Sequence, residues 1–198
     1  MALHPHHDLA DTLAQWRASG SDLLLFAYGS LIWRPDLDFT EALPARVPGW
    51  HRSLRMRSRV NRGTPQQPGL VLALMRGGSC RGLVYRVPRA EGEAVLPLLW
   101  EREMPNGGVY EPRWLRCDTP AGPLRALAFT LPRHSPNWTG ELHEAELLHI
   151  LRHARGRYGT TLDYLLRTVQ GLREHGIHDA ELERQARLAA RHGLCTPL

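Results

Sequence analysis

The chain has 198 residues, a formal net charge of +5 and 42% hydrophobic residues, which is enough for one well-packed core. All 25 basic residues are arginine, so a lysine Schiff base and a Walker-type phosphate-binding lysine are excluded. The arginine excess favours anionic partners, because guanidinium groups bind carboxylates and phosphates in a fork-like geometry. A compositional bias of the genome is an equally open explanation.

The cysteines and the N-terminal residues bear on the cellular compartment. Cys80, Cys117 and Cys195 are scattered and form no C-x-x-C pair, so they indicate neither a disulfide framework nor a zinc knuckle. Charged residues and histidines interrupt residues 1–19, and no apolar run approaches the roughly 20 residues needed to span a bilayer. We therefore expect a cytoplasmic protein with no membrane partner.

The hydrophobic spacing predicts the elements in chain order. A helix over 8–18 forms an N-terminal helical extension over 1–20, ahead of a single domain over 21–198. A buried strand over 22–27 follows. The middle of the chain predicts strands and one helix, namely strands over 47–60, 70–75, 80–87, 110–118 and 123–131 and a helix over 91–103 that ends before Pro105-Asn106-Gly107-Gly108. The last part predicts helices over 142–154, 161–174 and 179–192. The fold class is α+β, with a helical C-terminal third.

The first candidate site is the turn that follows the strand over 22–27. A strand that ends in Tyr28-Gly29-Ser30 lets consecutive backbone N–H groups point outward around a small anion such as a carboxylate. Many purely structural turns share this pattern, so both interpretations stay open here. Ser30 lacks the G-x-S-x-G spacing of a nucleophile elbow, and we exclude a serine hydrolase.

A pair of acids near the end of the helix over 91–103 is the second candidate. Helical geometry separates Glu101 and Glu103 by about 200°, so one faces solvent and the other faces the interior. Glu103 lies four positions after Leu99, on the apolar side, which makes it the candidate for a buried base with a raised pKa. A helix-end ion pair is the alternative.

Two further patterns are considered. Arg55, Arg57 and Arg59 alternate along a predicted strand, which is typical of an ion-paired face, of substrate guidance, or of nucleic-acid binding. His149 and His153 are one helical turn apart, as in zinc sites, but the glutamate of H-E-x-x-H is missing. We assign the histidines a structural or surface role and predict no metal.

With these residues in place, the chain resembles the ChaC-type glutathione-specific γ-glutamylcyclotransferases. The resemblance extends from Leu24 to about Gly176. It depends on the order of several motifs, namely Tyr28 to Pro35, Gly49 to Arg52, Arg62 to Pro65, Pro68 to Leu70, Trp100 to Met104, Gly108 to Trp114 and Gly159 to Leu165. Two departures are Thr160 or Thr161, where the family often has asparagine, and the extra charge of Arg59.

The resemblance implies a fold, a site and a reaction. The fold is a small mixed β-barrel with surrounding helices, and Glu103 is the catalytic carboxylate that cleaves glutathione to 5-oxoproline and cysteinylglycine. The substrate-binding residues that the resemblance implies are Tyr28, Gly29, Ser30, Leu31, Ile32 and Trp33 of the turn. From the residues themselves we add Arg57, whose charge suits an anionic substrate, and Tyr110 and Tyr164, whose hydroxyls, with that of Ser30 or backbone amides, are candidate donors to an oxyanion. No cofactor and no nucleic acid is expected, and the chain is predicted to be a monomer.

Three alternatives remain from the sequence. The chain is a cyclotransferase for other γ-glutamyl amino acids or amines, an arginine-strand nucleic-acid-binding module, or a regulatory protein that kept the fold and lost activity. The arginines around Arg57 favour a longer anionic substrate such as glutathione, and an intact Glu103 argues against loss of activity.

Overall fold

The computed structural model describes residues 8–104 and 109–197, and the predicted turn at 105–108 lies outside them. The elements are α1 (Leu9–Ser19), β1 (Leu23–Ala27), α2 (Ser30–Trp33), β2 (Glu41–Ser58), β3 (Gly69–Val87), α3 (Arg89–Glu103), β4 (Glu111–Thr119), β5 (Gly122–Thr130), α4 (Glu144–His153), β6 (Arg155–Gly156), β7 (Gly159–Thr160), α5 (Thr161–Glu174) and α6 (Ala180–Arg191).

Strands β1 to β5 close into a barrel in the spatial order β1-β3-β2-β4-β5. Antiparallel pairings join each neighbour in this order, and β5 closes on β1 through a parallel pairing of Leu25 with Leu127. The five residues of β1 are almost all buried, as is typical of a strand that is covered on both faces. The mixed barrel implied by the family resemblance is therefore confirmed.

The two longest strands correct the predicted strand boundaries. Residues 70–75 and 80–87 were predicted as two strands, but both belong to the continuous strand β3. Gly77 and Gly78 lie between them with positive φ values of 109° and 68°, which glycine adopts without a steric penalty. The pairing of β3 with β2 continues across this segment, so the glycines bend a strand instead of ending it. Strand β2 also begins earlier than predicted, at Glu41.

Helices cover the barrel and frame one end of it. Helix α3 continues through Pro97 and packs Leu96 and Leu99 inward, so the proline does not end the helix. Helix α5 buries Tyr164, Thr168 and Leu172 at four-residue spacing, so one face of this helix is turned toward the core. Helix α1 packs on α3, where a Cβ at Gly92 would overlap the Trp16 ring.

The short helix α2 and the hairpin of β6 and β7 were not predicted, because elements of two to four residues carry no periodic signal. The helix predicted over 142–154 is observed as Glu144–His153. The division into an extension over 1–20 and a domain over 21–198 stays a prediction. Within the described residues, no helix combines the length and the apolar character that crossing a membrane requires.

Candidate active site

The predicted Gly-Ser turn joins β1 to α2 and lies at the centre of the site. Gly29 precedes the first residue of α2 and adopts φ −133° and ψ −128°. A Cβ at this position would lie 3.2 Å from the Tyr164 hydroxyl and 3.6 Å from the Cβ of Leu72. Gly29 therefore lets the backbone approach the Tyr164 hydroxyl more closely than a residue with a side chain would allow.

An arginine that is buried under the turn holds its backbone in place. The Arg52 side chain is 1% exposed, and its Nη1 donates a hydrogen bond of 2.8 Å to the Tyr28 carbonyl oxygen. Nη2 donates to the Arg81 carbonyl oxygen, and Nε lies 2.9 Å from a carboxylate oxygen of Asp179, the residue that caps α6. Asp179 therefore pairs with the buried Arg52 guanidinium, which in turn holds the Tyr28 carbonyl oxygen in place.

Glu103 is the last residue of α3 and lies on its inner side. The Glu103 side chain is 16% exposed, whereas Glu101 is exposed to solvent. Burial raises the pKa of Glu103 above its ordinary value of 4.5, and Arg102, which lies 3.3 Å from it, opposes this shift. The structure agrees with the predicted faces of the two acids.

Arg102 joins the Glu103 end of α3 to the turn. Its guanidinium donates to the Ser30 Oγ at 3.2 Å and to the Pro35 carbonyl oxygen at 3.1 Å. It also contacts the carboxylate of Asp36 at 3.1 Å. Asp36 has a φ of 50°, which is uncommon for a residue with a side chain. One arginine therefore connects the residues beside Glu103 to both ends of α2.

Three tyrosines lie within the electrostatic range of Glu103; Tyr28 and Tyr164 are buried and Tyr110 is partly buried. Burial raises the pKa of Tyr28 and Tyr110 well above 10 and that of Tyr164 to about 12, and the charge of Glu103 contributes to each shift. The Tyr28 hydroxyl donates to the Phe129 carbonyl oxygen at 2.7 Å, and the Tyr110 hydroxyl donates to the Leu72 carbonyl oxygen at 3.1 Å. All three hydroxyls therefore stay protonated at neutral pH.

The Tyr164 hydroxyl differs from the other two. It accepts a hydrogen bond of 3.3 Å from the Leu72 backbone N–H. Among the described residues, the structure shows no acceptor for the hydrogen of this hydroxyl. Tyr164 therefore has a donor available at the Gly29 turn, whereas the hydroxyl hydrogens of Tyr28 and Tyr110 are already engaged.

Arg62 packs behind Tyr164 and closes the side of the site that α5 forms. Its guanidinium lies 5.2 Å from the Tyr164 ring and 6.0 Å from the Trp33 ring, within the range of cation–π contacts. It also contacts the Asp163 carboxylate at 3.2 Å and donates to the Tyr158 carbonyl oxygen at 2.6 Å. Burial lowers the pKa of Arg62, and Asp163 opposes this shift.

The positions where the family often has asparagine carry structural contacts. Thr160 caps α5 by accepting a hydrogen bond of 3.0 Å from the Asp163 N–H. The Thr161 hydroxyl accepts a hydrogen bond of 2.9 Å from the Leu70 N–H. Thr160 therefore caps α5, and Thr161 joins α5 to strand β3 through its hydroxyl group.

The remaining predicted substrate-binding residues do not all lie beside Glu103 and the tyrosines. Leu31 and Ile32 are buried in the core, and the indole N–H of Trp33 donates to the Thr168 hydroxyl at 3.1 Å. Arg57 lines a separate crevice of about 180 Å³, together with Gln67 and His149. This crevice shares no lining residue with the tyrosine and Glu103 cluster, so the structure does not bring Arg57 to that cluster.

Two of the arginines in the alternating run have acidic or amide partners. Arg55 lies 3.8 Å from Glu141 and 3.9 Å from Glu181, and Arg59 donates to the Asn137 side chain at 2.7 Å. These contacts favour the ion-paired interpretation of the run.

The histidine pair is the remaining candidate from the sequence. The rings of His149 and His153 lie 4.8 Å apart on α4. Within residues 8–104 and 109–197, no third histidine, cysteine or acid joins them in a group that could hold a metal ion.

Sequence reasoning missed the positioning roles of Arg52, Arg62 and Arg102. Arg52 and Arg62 are buried charges, and a buried arginine is found almost always with a partner. The sequence could not name their partners, because the acids that pair with Arg52 and Arg62 lie more than 100 residues away.

Comparisons with known proteins agree with this geometry. A family model described as ChaC-like protein matches residues 23–190. The glutathione-specific gamma-glutamylcyclotransferase of Escherichia coli (strain K12) is 39% identical over 173 residues, which span 86% of this chain and 74% of the relative. Glutathione-specific gamma-glutamylcyclotransferase 1 of Homo sapiens is 32% identical over 149 residues, 73% of this chain and 67% of the relative.

A solved structure supports the same assignment at the level of the fold. The crystal structure of a yeast gamma-glutamyl cyclotransferase specific to glutathione has a TM-score of 0.78 at 20% identity, and the match covers 87% of this chain and 97% of that one. The family match extends over most of the chain, from the first barrel strand to helix α6. The chain therefore belongs to the ChaC-like protein family.

Proposed function

We propose that this protein is a glutathione-specific γ-glutamyl cyclotransferase, an enzyme that releases 5-oxoproline and cysteinylglycine. The observation that carries the proposal is the buried Glu103 carboxyl group, whose pKa is raised and which Arg102 joins to the Gly29–Ser30 turn. The names of the relatives, which are 32% to 39% identical, supply the substrate.

The chemistry needs one group that takes a proton and later returns it. The α-amine of the γ-glutamyl group attacks its own γ-carbonyl carbon, which closes a five-membered lactam and breaks the bond to cysteinylglycine. The ammonium form of that amine is not nucleophilic, so a carboxylate must first remove a proton. The Glu103 carboxylate takes this proton and, as the acid, delivers it to the leaving nitrogen. The ring nitrogen loses a second proton as the lactam forms, and Glu103 transfers this proton as well, so that cysteinylglycine leaves as an ammonium ion and the carboxylate is restored. No water is consumed.

The Gly29–Ser30 turn positions the γ-glutamyl group of the substrate. Helix α2 begins directly after Gly29, and its Ile32 N–H donates to the Gly29 carbonyl oxygen, whereas the Ser30 and Leu31 N–H groups have no hydrogen-bond partner among the described residues. These groups are suited to the α-carboxylate of the γ-glutamyl group, and Arg52 and Arg102 hold the turn from two sides. Positioning of this kind brings the amine and the carbonyl carbon to about 3–3.5 Å, the distance of a near-attack conformer.

The Tyr164 hydroxyl is our candidate for the donor to the oxyanion that forms during ring closure. We expect Tyr164→Phe to lower kcat by about 100-fold, the typical cost of one oxyanion donor, with a small change in KM. Tyr110→Phe is the matched control, because the Tyr110 hydroxyl already donates to a backbone carbonyl. Steady-state kinetics of both variants, with thermal unfolding to verify folding, make the test. A larger loss in Tyr110→Phe would contradict the assignment.

The activity itself is tested with the purified, EDTA-treated protein. Glutathione, γ-glutamylalanine and γ-glutamyl-ε-lysine are incubated separately, and 5-oxoproline is quantified by mass spectrometry. Product from glutathione alone supports the proposal, including cofactor independence. Product only from another substrate retains the mechanism and changes the substrate, and no product from any of them refutes the proposal.

A cytoplasmic location, a monomeric state and the lack of nucleic-acid binding belong to the same proposal. The three cysteines are free thiols, which supports a reducing compartment. Analytical sedimentation tests the monomeric state. A gel-shift assay at low salt tests the lack of nucleic-acid binding, since binding of nucleic acid through arginine would depend steeply on salt.

A further inference from the structure

A second crevice lies on the barrel wall, away from Glu103. It has a volume of about 320 Å³ and shares no lining residue with the tyrosine and Glu103 cluster. Strands β2, β3, β4 and β5 and helix α1 contribute to it. Its lining includes two tryptophans and three arginines, namely Trp50, Trp114, Arg76, Arg113 and Arg125. We call this the β2–β4 crevice.

The crevice exists because β2 and β4 separate. Within the described residues, their ladder pairing is limited to Arg46 with Asp118, at one end of the two strands. Gly49 has a φ of 77°, and the register of β2 against β3 shifts between Pro48 and Trp50. A register shift of this kind bends a strand locally, and the Trp50 and Trp114 side chains contribute to the walls of the crevice.

The crevice carries positive charge that the protein does not neutralise. Among the described residues, neither Arg76 nor Arg125 forms an ion pair with an acid. Arg76 lies 4.4 Å from the centre of the Trp50 ring, and Arg125 donates to the Trp114 carbonyl oxygen at 3.4 Å. These contacts position both guanidinium groups without compensating their charge.

Arg113 is the third arginine that lines the crevice. Its Nη2 is paired with the Glu111 carboxylate at 2.7 Å, which compensates its charge, and its buried Nε has no hydrogen-bond partner among the described residues. Three arginines from three different strands therefore surround one volume.

We propose that the β2–β4 crevice binds a small organic anion with two negative charges, either a dicarboxylate or a phosphate ester. Guanidinium groups bind both in the same fork-like geometry. A volume of about 320 Å³ is at the small end of ligand pockets, which fits a metabolite and excludes a polymer. The site is independent of the cyclotransferase reaction, so its test does not depend on that activity.

Isothermal titration calorimetry of the full chain tests the proposal with succinate, glycerol 3-phosphate and inorganic phosphate as probes, and with glycerol as the neutral control. We expect saturable binding of succinate or glycerol 3-phosphate and none of glycerol. Tighter binding of succinate would identify the ligand as a dicarboxylate, and tighter binding of glycerol 3-phosphate would identify it as a phosphate ester. Binding of inorganic phosphate alone would overturn the claim of an organic ligand, and no binding of any anion at millimolar concentration would overturn the site.

Two variants locate the binding. Arg76→Gln and Arg125→Gln are each expected to weaken binding by about tenfold or more, because each removes a charge-assisted hydrogen bond. Arg116→Gln is the matched control, since Arg116 pairs in register with Arg125 on the neighbouring strand but does not line the crevice. An equal loss in Arg116→Gln would show attraction by general charge and would overturn the proposal. Thermal unfolding verifies that all three variants are folded.

Discussion

Glu103→Gln is expected to lower kcat by about 1,000-fold or more. General acid–base catalysis by one side chain contributes about 10² to 10⁴ in rate, and Glu103 serves both proton transfers in the proposed reaction. Steady-state kinetics with glutathione measure the change. Glu101→Gln is the matched control, because Glu101 lies two positions away, is exposed and should leave kcat unchanged. Activity of Glu103→Gln within about tenfold of the wild type would contradict the assignment.

The same substitution should raise stability, which separates lost catalysis from lost folding. The folded-state pKa of Glu103 is raised by burial, more than Arg102 lowers it. Such a carboxyl group contributes stability below its unfolded-state pKa, and that contribution is lost as the pH rises through its folded-state pKa. At neutral pH the ionised group is therefore a cost that glutamine lacks. We expect a higher Tm for Glu103→Gln at pH 7 and a smaller difference in acid.

The pH profile of kcat/KM is a further readout of this variant pair. Its acid limb reports the group that must be deprotonated in the free enzyme. In the wild type we expect this limb above 4.5, the ordinary value for a glutamate, because burial raises the pKa. The Glu101→Gln control should keep the limb unchanged, whereas the residual activity of Glu103→Gln should lack it.

Asp179→Asn is expected to reduce the free energy of unfolding by about 3 kcal/mol, because it leaves the buried Arg52 charge without its partner. The Arg52 side chain is 1% exposed, and its Nε lies 2.9 Å from the Asp179 carboxylate. Asn caps a helix as well as Asp does, so the cap that Asp179 forms on the Leu182 N–H is retained. The substitution thus isolates the charge. For a chain of this size the Tm should fall by about 6–12 °C.

An exposed pair gives the matched control for this prediction. Asp118 contacts Arg116 at 3.2 Å and Arg46 at 3.3 Å, and all three side chains are at least one-third exposed. Asp118→Asn should change stability by less than about 1 kcal/mol, since solvent screens such pairs. Thermal unfolding of both variants measures the difference. Equal and small shifts would show that the Arg52–Asp179 pair does not support the turn.

Much of the site could be predicted from local patterns. The spacing of Glu101 and Glu103 relative to Leu99 was sufficient to predict which acid faces inward, and the Gly-Ser turn after an apolar strand located a candidate anion cradle. Both depend on residues that are neighbours in the chain, and the periodicity of a helix or strand records which face each residue occupies. The amphipathic pattern of α5 is of the same kind.

Contacts between distant residues were decided by the tertiary structure. The sequence suggested Ser30, Tyr110 and Tyr164 as oxyanion donors, and the structure distinguishes the two tyrosines, because the Tyr110 hydroxyl is engaged by Leu72, 38 residues away. The continuity of β3 through Gly77 depends on its pairing with β2, which no local pattern contains. The partners of Arg52 and Arg62, Asp179 and Asp163, lie at the start of α6 and in α5, and Arg57 lines a crevice with residues of α4, so these contacts depend on how the helices pack on the barrel. Sequence periodicity therefore determined which faces are buried and which acid of α3 lies inward. Only the tertiary structure decided which polar groups meet, because such pairing is satisfied between strands and helices that are far apart in the chain.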